Sequence, residues 1–155
     1  MPGTNKRLRR GFTLIELLVV VAILTILMGL TIPMYSKYRE RGKYVKAKAT
    51  VKQLELAFNE YCNQMNEWPE SDNGEKELKG DVIKPLVTNT KNIVFFDFGI
   101  TNNDFNQFKD PWEHYYKVKF DHDFNNSIEH SGSTLRKSVI VYTSNSTGDR
   151  INSWD

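Results

Sequence analysis

The chain has 155 residues, with 21 basic and 19 acidic side chains, a formal charge of +2 and one cysteine, Cys62. So even a balance excludes nucleic-acid binding by bulk attraction, and a lone cysteine excludes an internal disulfide scaffold. Mean hydropathy is −0.52 although residues 12–34 are almost wholly apolar, so the remainder is polar enough for a water-soluble domain.

A basic leader comes first: Lys6, Arg7, Arg9 and Arg10 precede Gly11. From Leu17 to Met34 no residue is charged. A helix over that stretch spans roughly 27 Å, close to the ~30 Å hydrocarbon thickness of a bilayer. An ordinary cleaved signal has an apolar stretch of about 7–15 residues and a small-residue cleavage site. Here the stretch is longer and runs into "GLTIPMYSKYRER", with no Ala-x-Ala pattern. Charge alone does not orient the segment, because Lys37, Arg39, Arg41 and Lys43 on the far side match the four cations of the leader. The leader is short while the other flank enters a domain, which favours a cytoplasmic N-terminus.

Glu16 is an acid at the edge of this run, and an intramembrane acid faces a partner or marks function. Two readings stand. In one it is interfacial and snorkels to water. In the other the chain is cut after Gly11, and the new amine of Phe12, with an ordinary pKa near 8, lies one helical turn away. Glu16 then pairs with that amine or with a neighbouring subunit's.

Beyond Pro33 the helix continues. Tyr44, Ala47, Val51, Leu54, Phe58, Tyr61 and Met65 recur at steps of three and four, with Lys46, Lys48, Lys52, Glu55 and Glu60 off the stripe. Pro33 removes a backbone donor and should bend the rod, and Gly29 and Gly42 weaken it. "NEWPESDNGEKELKG" (66–80) ends the helix with Pro69, Gly74 and polar residues. "DVIKPLV" holds a short helix or turn interrupted at Pro85. Three strand-like stretches follow: "NIVFFDFGI" (92–100), "HYYKVKF" (114–120), with Tyr116, Val118 and Phe120 on one face, and "SVIVYTS" (138–144). Polar turns at Asn102-Asn103-Asp104, Asn125-Asn126 and Ser131-Gly132-Ser133 separate them. The expected fold is α+β. A long N-terminal helix, apolar in its first half and amphipathic in its second, packs on a small antiparallel sheet, giving a lollipop.

Gly11-Phe12-Thr13-Leu14-Ile15-Glu16-Leu17, after the basic leader and before the apolar run, resembles the class III signal of type IV pilin-like proteins. The resemblance implies that a prepilin peptidase cuts between Gly11 and Phe12 and methylates the Phe12 amine. It implies that Glu16 neutralises a neighbour's amino-terminus during filament growth, and that Gly29 and Pro33 bend the helix. The chain then divides into a cleaved leader (1–11), a transmembrane and filament-core helix (12–34) and a periplasmic domain (35–155) that includes the amphipathic half of the helix. Loss of residues 1–11 removes four of the 21 basic residues and no acid, leaving a net charge of −2.

"FNEYCNQMNEWP", "KDPWEHYYKVKF" (Asp110, Trp112, Tyr116) and "IVYTSNSTGDRINSW" (Ile151, Trp154) are similar to stretches of type II secretion major pseudopilins. Type IV pilins proper usually close a C-terminal loop with two cysteines, whereas Cys62 stands alone on the helix. The implied role is a structural, non-enzymatic subunit of a periplasmic pseudopilus driving type II protein secretion. The mature chain would be stored as a single-pass protein of the bacterial inner membrane, N-terminus cytoplasmic. Implied partners are the prepilin peptidase, further copies in a helical homopolymer, minor pseudopilins, the inner-membrane assembly platform and membrane lipid. The alternative is a minor or surface type IV pilin for adhesion or DNA uptake.

The same resemblance implies calcium in the C-terminal loop, with Ser144, Asn145, Asp149 and Asp155 as ligands. Thr147 and Arg150 depart from the pattern, standing where acids are expected. The competing reading is a calcium-free loop held by Trp154 packing and side-chain to backbone hydrogen bonds. Asp121, His122 and Asp123, with His114 and His130 nearby, raise a rival membrane-anchored enzyme. In a strand, however, Asp121 and Asp123 face away from His122, and no phosphate loop or nucleophile elbow is present. The basic run Lys37–Lys48 borders the apolar segment, so lipid headgroups and neighbouring subunits are closer partners than nucleic acid. Cys62 beside the apolar stripe is expected to be a small buried hydrophobe.

Overall fold

A computed structural model of the protein describes residues 11–72, 74–100, 102 and 104–155, with backbone only for 30–33. The leader cations at positions 6–10 and Asn103 therefore lie outside the described residues. The backbone forms two compact units, one ending at Glu40 and one spanning Arg41–Asp155. A 52-residue helix, α1 (Leu14–Met65), supplies most of the first unit and opens the second. Gly29 and Pro33 both lie within it. The bend expected there falls where side chains are not described, at Pro33 itself.

In the first unit every described side chain of α1 is exposed. Leu14 is 81% and Ile15 68% exposed, and Leu17, Leu18, Ile26 and Met28 are comparably open. A helix apolar on all sides has no single face for a water-soluble core. It is long and apolar enough to cross a membrane. The Thr25 hydroxyl, polar in this run, donates to the Val21 and Ala22 carbonyls at 3.0 and 2.8 Å. Its donor is thus satisfied without water.

The second unit has the expected α+β composition. Ala47, Val51, Leu54, Phe58 and Tyr61 of α1 are buried, as the stripe requires, while Tyr44 at its start stays exposed. They meet a four-stranded antiparallel sheet in the order β1-β2-β5-β6: β1 (Lys76–Glu77), β2 (Lys117–Phe120), β5 (Val139–Ser144) and β6 (Arg150–Asn152). A hairpin of β3 (Ile128–His130) and β4 (Ser133–Leu135) forms a separate two-stranded sheet. Register places Val118 opposite Val141 and Phe120 opposite Val139. These four side chains, with Tyr116, are buried in the core against α1. Residues 139–143 are all buried; at Tyr142, His130 of the hairpin packs its ring at a tilt, centroids 4.7 Å apart.

Two expectations about strands need correction. Residues 92–100 are not a strand but an extended irregular segment. Their aromatic rings pack on one another and on the core instead of pairing in a ladder. Phe96 and Phe98 lie 4.7 Å apart, and Phe98 and Phe108 4.8 Å. The Phe95 N–H donates to Leu86 O, and the Asn89 side chain bonds both the N–H and the carbonyl of Ile93. In "HYYKVKF" the strand begins only at Lys117. The Asp110 carboxylate grips the N–H groups of Trp112 and His114 and holds that end in a turn, with Glu113 at φ 71°. "DVIKPLV" proves to be two short 3-10 turns, Gly80–Val82 and Lys84–Leu86.

Trp68 is buried beneath the end of α1. It stacks on Phe120 at 5.0 Å and donates its indole N–H to the Asp121 carbonyl at 2.7 Å. Cys62, expected to be buried, is only half-buried against the core, and desolvation pushes its thiol pKa up.

Candidate functional site

The N-terminal segment combines three features. Gly11 is exposed, and a Cβ built on it would meet nothing within 4 Å. Phe12 is 75% exposed beside it. Thr13 then caps α1. Its backbone N–H and hydroxyl both donate to Glu16 Oε2, at 2.8 and 2.7 Å, and the Glu16 N–H approaches the Thr13 hydroxyl oxygen at 3.3 Å. This is a capping box, Thr-x-x-Glu, in which side chains satisfy donors at the helix start that have no intrahelical partner. The acid therefore has a local partner as well as any distant one. The spacing was legible in the sequence, and neither reading of Glu16 used it.

The C-terminal loop joins β5 to β6. Asn145 Oδ1 accepts from the Thr147 N–H and hydroxyl and from the Asp149 N–H, at 2.8–3.0 Å. Asp149 Oδ2 accepts from Asn145 Nδ2 and the Thr147 hydroxyl. Those hydroxyl and amide donors hold the Asp149 carboxyl below the usual carboxylate range. Ser144 pairs with Arg150 in the strand register. Asp155 binds Asn152 Nδ2 at 2.7 Å, and its backbone carbonyl accepts from Lys52.

Calcium needs six to eight oxygens, with carboxylates prominent. The loop itself offers one carboxylate, Asp149, already engaged by two donors, and its next residue is the cation Arg150. As folded, this donor set does not fit the ion. Among the described residues no group of three or more His, Cys, Asp or Glu is close enough to hold a metal.

Arg150 works instead within the protein. It bonds the Ser131 hydroxyl and lies 3.1 Å from His130 Nε2. Trp154 packs on the His130 and Tyr142 rings at 5.6 and 6.1 Å. Burial, with the Arg150 charge second, pushes the His130 pKa down.

The histidine and acid residues do not converge on a reaction centre. Asp121 is buried and accepts from the Asn126 N–H at 2.6 Å, a loop brace. His122 sits edge-on to Phe120, while Asp123 is exposed. His114 lies 3.5 Å from Asp110 in a different turn. Asp110 itself, buried and bonded to the Thr143 hydroxyl, ties the β2 entrance to β5. Its partner lies 33 residues away in sequence, and no local spacing announces it.

Residues 6–32 match a family model, the prokaryotic N-terminal methylation motif. The chain carries this motif. It covers the last part of the leader, Gly11, Phe12, the capping box and most of the apolar run, where the resemblance was expected to be most specific. The chain is also similar to the type II secretion system core protein G of Pectobacterium carotovorum subsp. carotovorum. That protein is 37% identical over 85 residues, 55% of this chain and 53% of the relative. Core protein G of Escherichia coli K12 is 31% identical over 90 residues, 57% and 61% of the two chains. A fimbrial protein of Neisseria meningitidis serogroup B is 33% identical over 84 residues, 51% and 49%. The chain thus spans about half the length of the curated relatives it matches. No solved structure matches it significantly.

Proposed function

We propose that the protein is a structural subunit of a pilin-like filament, most like a type II secretion pseudopilus. It is stored in the bacterial inner membrane through its apolar helix, with the N-terminus cytoplasmic and residues 35–155 periplasmic. Prepilin peptidase cuts after Gly11 and methylates Phe12. The Phe12 amine then meets Glu16 of a neighbouring copy, and the subunit leaves the membrane for a periplasmic polymer with minor pseudopilins and an inner-membrane assembly platform. It catalyses no reaction.

One observation carries this reading. The methylation motif spans Gly11 and Phe12, at the head of a helix whose described side chains are all exposed as far as Glu40. A cut there places a new cation one turn from the only acid in that helix's first turn.

The test is mass spectrometry of the mature amino-terminus. Loss of residues 1–11 with N-methyl-phenylalanine at Phe12 is expected. A chain that keeps its first eleven residues and stays monomeric would overturn the reading.

A surface type IV pilin is the second reading, because fimbrial and core protein G relatives match over similar shares of the chain. A deletion that abolishes protein export and spares surface fibres favours the pseudopilus, and the opposite pattern favours the pilin.

A further inference from the structure

The core stripe of α1 leaves the opposite side of the helix uncovered, and an apolar groove lies along it. Gln53, Leu56, Ala57 and Glu60 form one wall, at helical steps of three, one and three. Phe95, Phe96 and Asp97 form the other, enclosing about 580 Å³. Leu56 is 72% exposed although it is a large aliphatic side chain within a folded domain. The floor is rigid, since Phe95 packs edge-on to Tyr61 at 5.4 Å and Phe96 lies 4.7 Å from Phe98. Both rims are acidic. Glu60 and Asp97 are exposed, each holding only a local hydrogen bond, to Gln64 and to the Gly99 N–H.

A complementary surface exists on the same chain, in the other compact unit. Tyr35 and Tyr38 are 71% and 62% exposed. They stand three residues apart on one helix face, which they share with the exposed Arg39, four residues after Tyr35. Two aromatic rings beside a cation match an aromatic and aliphatic groove flanked by two carboxylates. The acidic rims would repel the anionic headgroups of a membrane, which argues against lipid as the occupant.

We propose that the groove of Leu56, Phe95 and Phe96 receives the Tyr35–Arg39 segment of a second copy of this chain, with Arg39 facing Glu60 and Asp97. The contact rests on the filament reading above and adds to it a specific docking surface between subunits. Contacts between apolar helices that leave lipid for one another gain little net free energy. A site with charges of opposite sign on each partner selects register and rejects wrong neighbours.

The test uses the full chain in its native membrane, in a Cys62→Ser background. Tyr38→Cys combined with Leu56→Cys should give a ladder of disulfide-linked multimers on oxidation, which neither single cysteine gives. Glu60→Lys with Asp97→Lys should cut filament yield at least tenfold. Arg39→Glu should do the same, and all three changes together should recover most of the yield. Recovery also shows that the reversed side chains did not unfold the domain. The inference is overturned if the parent forms filaments but no ladder appears, or if filaments tolerate the reversed groove; the filament reading then stands. If the processed Cys62→Ser parent and the wild-type chain both form no filament, the filament reading itself fails and the docking site with it.

Discussion

Asp110 offers the sharpest stability test, because a single buried carboxylate joins its own turn, residues 110–114, to β5. Its Oδ1 accepts from the N–H groups of Trp112 and His114, both at 2.8 Å, and its Oδ2 from the Thr143 hydroxyl on β5. At 5% exposure it has little access to replacement water. Asp110→Ala strands three donors, and an unsatisfied buried donor costs about 1–3 kcal/mol. Overlap between the penalties, and relaxation of an open turn, bring the expected loss to about 3–5 kcal/mol. Asp110→Asn keeps one oxygen for the two N–H groups and presents an amide to a hydroxyl that can rotate to accept, so about 1–2 kcal/mol is expected. Urea unfolding of the detergent-solubilised full chain, followed by near-ultraviolet dichroism, measures both. A loss below about 1 kcal/mol for Asp110→Ala would refute the claim that this residue staples the β2 turn to β5.

Two further outcomes follow from the same reasoning. Glu16→Gln retains an acceptor for the Thr13 capping box but carries no charge, whereas Glu16→Leu loses both; both should insert and be cleaved yet fail to assemble, and filaments of normal yield from Glu16→Gln, counted by electron microscopy, would leave the acid a capping role only. Burial pushes the Tyr116 hydroxyl up to about 12 from an ordinary value of 10, with the Thr50 hydrogen bond opposing it. The folded state then holds a proton that the unfolded chain gives up above pH 10, so stability should fall between pH 10 and about 12 and not near neutrality; thermal melts should show a smaller fall over that window for Tyr116→Phe than for the wild type.

The helix was legible because its apolar residues repeat with a period that only one element satisfies, and the burial of Ala47, Val51, Leu54, Phe58 and Tyr61 follows that period. Alternation placed Tyr116, Val118 and Phe120 on one buried face for the same reason. Residues 92–100 misled because composition is not pairing. Aromatic and β-branched residues suit a pleated surface, but here Phe95, Phe96 and Phe98 find ring partners before any strand reaches them. Strands β1, β3, β4 and β6 have two or three residues each, too few for a period to show. The N-terminal site was legible as a motif, and its capping box as a spacing. The Asp110–Thr143 and Arg150–His130 contacts join residues 33 and 20 positions apart, and only the fold brings them together.

The exposed apolar helix sets a problem that the polar positions must solve. In the membrane its faces are already out of water, so packing against identical helices recovers almost none of the roughly 25 cal/mol per Å² that burial from water supplies. Nothing in such faces fixes how far one helix slides along another, because leucine, isoleucine and valine on neighbouring turns are near-equivalent knobs. A unique register therefore needs a few contacts that are satisfied at one offset and unsatisfied at the next. In the proposed filament Glu16 would be such a point at the helix start, its carboxylate matched by the new amine of Phe12. The acid-rimmed groove at Leu56, as proposed above, would be a second. Two such contacts define an offset that either alone would leave loose, because a slip of one turn breaks both together.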